Sequence, residues 1–529
     1  MIRFDRAYPR FKGLAAYMAG VAACVVTLIF LYRLNRADLR IPFNYIGDAL
    51  FTQTLIKGIA DHGWYLTNPS LGCPGKLEMQ DFPMADNLHF FLLKVLAHCT
   101  GDSVLAFNLY FLATFPLTTL STHLVMRRLA FGHVPSIMTG LLFTFLPYHF
   151  LRGEAHLFLA AYYLVPPILW VILSLYLDRG LLLAYDETQG KVFATLKRKR
   201  TWAALGLCAV LASAGIYYAY FACVFLLIAG LASALFRRRV YPLAVALILI
   251  ATIGVGAVAT LAPALAYRWQ NGANPEIQRY WMESETYGLK ITNLLLPIAG
   301  HRWKYLAGLR QDYEQGLPTN EGALASNGIL ASLGILFFLG RLLYRKRVHH
   351  GRPNLLDGIS ILTAGGILTA TIGGLGTLVS FLGFSWIRCY DRISIYLGFL
   401  ALLAVATFMR RLEDKYATTP AQRAWLGGAA ALLLVVGILD QTTSRFIPHY
   451  ADLKRQYQQD EEFFNRVESV CARGGMVYQL PYVRFPESAP PGGMRSYDHF
   501  RAYLHTTQLR WSYGAMKGRD ADLWQREIA

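Results

Sequence analysis

Apolar runs of about 20 residues recur along this chain, and short clusters of arginine and lysine separate them. A helix needs about 20 predominantly apolar residues to cross the hydrocarbon core of a bilayer. The runs are continuous rather than alternating, so they read as helices and not as the strands of a barrel. Composition agrees: of 529 residues, 55% are hydrophobic and only 16% are charged, against about a quarter in an average soluble domain. The formal net charge of +18 would suit nucleic acid if the positive residues formed one surface. They fall instead between the apolar runs, where positive residues are held on the cytoplasmic side. The clusters set topology, and no nucleic-acid partner is expected.

Arg3, Arg6, Arg10 and Lys12 precede an apolar run over 14–31, which reads as a retained first span with its N-terminus inside. Further spans are expected over 103–126, 134–150, 157–177, 241–266, 323–343, 356–382, 393–408 and 425–439. The stretch 202–236 is too long for one span and is interrupted at Ser213-Ala214-Gly215-Ile216-Tyr217-Tyr218, so it reads as a short helix, a turn and a full span. A helix break at membrane depth is tolerated only where protein or water covers it, which points to a cavity there. Arg127-Arg128, Lys197-Arg198-Lys199-Arg200, Arg237-Arg238-Arg239, Arg345-Lys346-Arg347 and Arg410-Arg411 then lie inside. The fold expected is an all-α polytopic membrane protein with about eleven crossings in residues 1–440. Its long extracytoplasmic loops cover residues 35–87 and 267–321, and residues 441–529 form a polar extracytoplasmic C-terminal segment. The seven cysteines show no CxxC pair and no metal-ligand spacing. Cys24, Cys208 and Cys223 fall in expected spans, and a disulfide among Cys73, Cys99, Cys389 and Cys471 would need an oxidising compartment.

The residues that invite a chemical reading gather on the outer face. Asp48 follows the first span and opens a run to Ala60 that reads as an interfacial helix. It suits an N-cap, and equally a carboxylate set over a membrane-level cavity. Glu78, Asp81 and Asp86 stand further along the same loop, where paired carboxylates work as acid and base or bind a divalent cation through oxygen. The plainer reading is that Asp81 and Asp86 cap the helix beginning near Leu88. Arg152, Glu154 and His156 share one outer turn near His149, and Arg152 and Glu154 pair with each other in the simplest account. Arg388, Asp391 and Arg392 break the positive-inside pattern, and planar guanidiniums suit phosphate. The dull alternative is an Arg–Asp pair fixing the turn. Glu283 and Glu285 read as a solvated loop surface, and Asp520 and Asp522 as tail surface. No phosphate-binding loop, dinucleotide fingerprint, HExxH or GxSxG arrangement occurs in a suitable context.

Several segments together resemble the GT-C class of integral-membrane glycosyltransferases of bacterial envelope polysaccharide pathways. They are Gly47-Asp48-Ala49-Leu50-Phe51, Gly63-Trp64-Tyr65-Leu66-Thr67-Asn68-Pro69 and Asp81-Phe82-Pro83-Met84-Ala85-Asp86-Asn87-Leu88-His89. Gly215-Ile216-Tyr217-Tyr218-Ala219-Tyr220, Gln479-Leu480-Pro481-Tyr482 and Arg510-Trp511-Ser512-Tyr513-Gly514 complete the set. The resemblance implies a sugar donor on a polyprenyl phosphate, a glycan or lipid acceptor, and a site on the extracytoplasmic face of the bacterial inner membrane. It implies that Asp48 is the base, with Asp81 and Asp86 as acid or metal-binding assistants and Arg388 and Arg392 near the donor phosphate. Arg152, Glu154, His156, Asp391, Tyr217 and Tyr218 are then candidate substrate contacts. The first loop lacks the acidic-x-acidic pair usual in the class, so a divalent cation, if used, would fall to Glu78, Asp81 or Asp86. A flippase or transporter of lipid-linked glycans is the rival reading, and it would line a path from both faces with charge. A glycan polymerase would share the long outer loops.

Overall fold

A computed structural model describes residues 10–316, 321–344 and 354–529. Arg3, Arg6 and the cluster Arg345-Lys346-Arg347 lie outside the described residues. The chain is a helical membrane protein. Among the described residues seven helical stretches are long and apolar enough to cross a bilayer, and three shorter apolar helices accompany them.

The first crossing is α1 (Arg10–Tyr32). The loop after it holds α2 (Asp48–His62), strands β1 (Thr67–Asn68) and β2 (Leu77–Glu78), paired antiparallel, and α3 (Asn87–Thr100). Then α4 (Ser103–Arg128) returns through the bundle, opened by the Asp102 carboxylate, which accepts from the amides of Val104 and Leu105.

Three of the expected spans are broken. The first becomes α5 (His133–Thr144) and α6 (Pro147–Arg152). The second becomes α7 (Leu157–Ala160) and α8 (Val165–Tyr176). Each second piece begins with proline in its first turn, where a missing N–H costs nothing but the preceding helix must stop.

A hairpin of β3 (Leu183–Asp186) and β4 (Lys191–Ala194) follows. Next come α9 (Lys199–Leu211), α10 (Ile216–Arg237) and the 31-residue α11 (Tyr241–Asn271). The break between α9 and α10 occurs where the sequence places it. Its exposed amides and carbonyls are met by the first loop: Gly215 N–H donates to Ala85, and Ser213 accepts from Leu88. Gly215 has φ of +113°, a conformation that favours glycine.

The second long loop carries α12 (Glu283–Thr286), α13 (Ile291–Leu295) and α14 (Lys304–Gln315). After it come α15 (Gly328–Leu343), α16 (Leu355–Ala370), α17 (Leu375–Phe381), α18 (Ser394–Tyr416) and α19 (Pro420–Gln441). The third broken span lies between α16 and α17, at Gly373-Gly374.

In the most apolar part of Tyr390–Tyr416, which contains α18, 78% of the residues are buried, against 17% in the span Gly13–Tyr32 of α1 and 22% in α11. α18 is therefore a centre of the bundle, while α1 and α11 lie on its lipid-facing outside. Lipid offers no hydrophobic drive between helices, so close packing must hold the bundle. Gly334 on α15 shows it: a methyl added there would stand 2.2 Å from the Ala401 carbonyl oxygen on α18.

The C-terminal segment folds onto the first loop. It comprises α20 (Tyr450–Val470), β5 (Met476–Val477), α21 (Phe500–Leu504), β6 (Arg510–Trp511) and α22 (Asp520–Ile528). β5 and β6 pair in parallel, and Trp511 bridges to Leu71. α2 is buried from Ala49 to Ile59, with Phe51 stacked on Tyr497 and Phe500. The expected interfacial helix is thus a core element beneath the tail. All seven cysteines are free, so the disulfide among Cys73, Cys99, Cys389 and Cys471 does not form.

Candidate active site

A cavity of about 1020 Å³ lies where the first loop, the starts of α2 and α10, the far half of α11 and the C-terminal segment meet. One wall is apolar: Val258, Leu261 and Leu265 of α11, with Phe384 and Trp386 facing them. The other end is polar and holds Asp48, Asp86, His156, Arg388 and Arg392.

Asp48 is the first residue of α2, and the cap position belongs to Gly47, whose φ of +56° favours glycine. The Asp48 side chain makes no capping bond. Its Oδ2 lies 3.3 Å from Nε2 of His156, so the capping role is not taken up and the carboxylate faces the cavity. Burial raises its pKa; Glu487 and Glu321 add to the rise, and Arg392 and Arg388 oppose it. Burial, with Arg152 and Arg392 nearby, pushes His156 down to about 3. The ring is therefore neutral near pH 7.

Asp86 occupies the N-cap position of α3 without a capping bond. It lines the cavity, and burial pushes its carboxyl up to about 7 against the pull of Arg392. Asp81 differs. Its two oxygens accept from Nε and Nη2 of Arg519 at 2.6 and 2.8 Å, and Asn274 adds a third bond. Asp81 touches the cavity wall, but its carboxylate is spent on fixing the tail, and it caps no helix. Glu78 accepts from the Tyr267 hydroxyl and lies 3.4 Å from the Lys76 ammonium.

Two groups of four charges surround the polar end. In one, Arg152 reaches Glu321 at 2.8 Å and Asp391 at 3.1 Å, and Arg392 reaches Glu321 at 3.4 Å. Arg392 also stands 4.1 Å over the Tyr217 ring. Burial raises the Glu321 carboxyl, but Arg152 and Arg392 outweigh it and hold it at about 2. In the other, Arg388 binds Glu283 and Glu487 at 2.9 Å each, and Arg279 binds Glu487 at 2.9 Å. Each group holds two cations and two anions and is neutral overall.

Several sequence readings change here. Arg152 and Glu154 do not pair. Arg152 is fully buried among its two carboxylates, and Glu154, 2% exposed, accepts from the Asn44 amide at 2.8 Å. Burial raises the Glu154 carboxyl well above its usual range. Tyr218 is buried with its hydroxyl on the Leu159 carbonyl, so it supports α10 while Tyr217 faces the cavity. His149 is a core residue between Thr114 and the Thr144 carbonyl. Glu283 is bound by Arg388, and Glu285 accepts from the Gly373 amide, so neither is a free surface acid. Asp522 is 1% exposed and accepts from Tyr482, Arg484 and Gly518. Asp391 turns inward to Arg152 and not to the cavity.

Glu321, Glu487, Arg279 and Tyr497 are the residues that sequence reasoning missed. An acid directly before an apolar run was a usable signal for Glu321. Nothing local marks Glu487 or Tyr497. Among the described residues, Glu321, Cys389 and Asp391 are the one set of three metal-ligand atoms lying together. Guanidiniums already hold both carboxylates, a poor setting for a divalent cation. Glu78, Asp81 and Asp86 do not form such a set.

No family model and no curated protein matches the sequence. Solved structures are similar to it at low identity. An oligosaccharyltransferase of Archaeoglobus fulgidus in its apo form shows 11% identity and a TM-score of 0.43 over 88% of this chain and 62% of that one. ArnT from Cupriavidus metallidurans bound to undecaprenyl phosphate shows 12% identity and a TM-score of 0.46 over 98% of this chain and 89% of that one. The arabinofuranosyltransferase AftD from Mycobacteria shows 14% identity and a TM-score of 0.44 over 97% of this chain and 32% of that one. The chain thus spans less than two thirds of the length of the first and the third.

Proposed function

We propose that this protein is a membrane glycosyltransferase that moves a sugar from a polyprenyl-phosphate donor to a glycan or lipid acceptor. The observation that carries the reading is a single cavity in which an apolar wall carried by α11 leads to Asp48, a carboxylate that caps no helix and faces the cavity beside His156. The apolar wall suits an isoprenoid chain. The polar end suits sugar and acceptor.

In the reaction the acceptor hydroxyl gives its proton to the Asp48 carboxylate, and its oxygen attacks the anomeric carbon. The bond from that carbon to the phosphate oxygen breaks, and its electron pair leaves with the polyprenyl phosphate. A raised pKa makes Asp48 a better base as long as it stays ionised. A phosphate leaving group needs charge stabilisation more than a proton. His156 stands against Asp48 and, being neutral, offers no competing cation.

Arg127-Arg128, Lys197–Arg200, Arg237–Arg239 and Arg410-Arg411 follow or precede helix ends remote from the cavity in sequence order. Their charge supports an inner-membrane protein with the cavity on the extracytoplasmic side.

The test is transfer from a panel of polyprenyl-phosphate sugars by purified protein in lipid, with Asp48→Asn beside the parent. Loss of transfer by about a hundredfold or more, with unchanged folding, is expected. Transfer that survives in Asp48→Asn removes Asp48 as base. No transfer by the parent, with movement of lipid-linked sugar between leaflets, replaces the transferase with a flippase.

A further inference from the structure

Both charge groups around the cavity are closed: Arg279, Arg388, Arg152 and Arg392 are matched by Glu283, Glu487, Glu321 and Asp391. Arg388, Arg279 and Arg152 are each held by a carboxylate within 3.1 Å, and Arg392, 3.4 Å from Glu321, is only 7% exposed beside the Tyr217 ring. Arg268 is different. It lines the cavity, is exposed, and makes no ion pair among the described residues. Its guanidinium carbon stands 5.9 Å over the Trp386 ring.

Its height follows from the helix that carries it. α11 has 31 residues, about 46 Å at 1.5 Å per residue, whereas the hydrocarbon core is about 30 Å thick. The helix starts just after Arg237-Arg238-Arg239, so its surplus length falls at the cavity end. That puts Arg268 beyond the hydrocarbon, at the level of lipid headgroups. Trp269 beside it is 90% exposed, as aromatic rings at that level commonly are. Val258, Leu261, Leu265 and Arg268 recur every three or four residues, so one face of α11 carries an apolar strip ending in a cation.

We propose that Arg268 grips the phosphate of a lipid phosphate whose chain lies along Leu261 and Leu265, and that in the proposed transferase this lipid is the donor. The assignment deepens that reading and rests on it for the donor's identity. Lipid phosphate could equally come from bulk phospholipid, and the experiment separates the two.

Binding of undecaprenyl phosphate to the full-length protein in phosphatidylcholine nanodiscs is followed by native mass spectrometry. Undecaprenol serves as the uncharged control and phosphatidylglycerol as the competitor. Arg268→Gln is expected to weaken undecaprenyl phosphate roughly ten- to a hundredfold, the loss of a charge-assisted bond, and to leave undecaprenol unchanged. Arg268→Lys should recover part of the loss. Equal binding by parent and Arg268→Gln overturns the assignment, as does displacement by an equal amount of phosphatidylglycerol. The readout is independent of transfer. Phosphate-selective binding without sugar transfer would sink the transferase and spare Arg268, whereas transfer with unselective binding would do the reverse.

Discussion

Asp86 shows how one residue's surroundings become a measurable property of the protein. Its carboxyl lies at about 7 in the folded chain because burial disfavours its charge, while an unfolded chain holds it near the usual 3.8. A group raised in this way stabilises the fold fully below its unfolded pKa. The benefit is lost as pH rises through the folded value. Asp86→Asn cannot ionise, so it should melt higher than the parent at pH 8 and alike at pH 4 or below. A parallel pair of melting curves in detergent across that range checks it, and equal melting at pH 8 would place the Asp86 carboxyl in water. At this scale the sequence was informative wherever a residue's role is local. Asp48 and Asp86 stood out because each sits between a span and a helix in a loop too long to be a mere connector. Glu321 did not, because its partner Arg152 is 169 residues away, and Glu154 misled because its neighbour in sequence is not its neighbour in space.

Helical elements were legible as apolar lengths, but their interruptions were read less well. Hydropathy runs straight through Pro147, Pro166 and Gly373-Gly374, whereas the backbone stops at each for lack of a donor or of a side chain. The exception was Gly215, where the break was visible because tyrosines and a serine interrupt the apolar run as well. Packing between elements leaves a fainter trace still. Gly334 looks like any small residue in a span, yet it lets α15 lie against the α18 backbone at Ala401. Gly334→Leu should force the two helices apart and cost about 3 kcal/mol or more, beyond the usual range for overpacking because backbone and not a side chain must move. Gly334→Ala should cost less but remain measurable. Reversible unfolding in mixed micelles reports both, and a Leu variant as stable as the parent would mean that α15 and α18 do not touch there.

For the molecule as a whole, the consequential arrangement is the return of the C-terminal segment to the first loop. Glu487 and Tyr497 help to wall the cavity, so the site is incomplete without residues that follow the last crossing. The fastening is specific: Asp81 is 5% exposed at its side chain and is held by the fork of Arg519, 438 residues away. A polar, Pro- and Gly-rich tail gives no hint of such a partner, because each half of the pair is an ordinary loop charge until the chain has folded. Removing one half leaves the other charge buried and unmatched, a loss of about 3 kcal/mol. That penalty falls where the tail meets the first loop and not on the membrane-spanning helices. Arg519→Ala should therefore leave helix content unchanged while making residues 441–529 more open to protease. Asp81→Asn with Arg519→Ala should recover part of the protection, since no buried charge then remains. If the single variant resists protease like the parent, other contacts fasten the tail, such as the Gln525 bond to the Cys73 carbonyl.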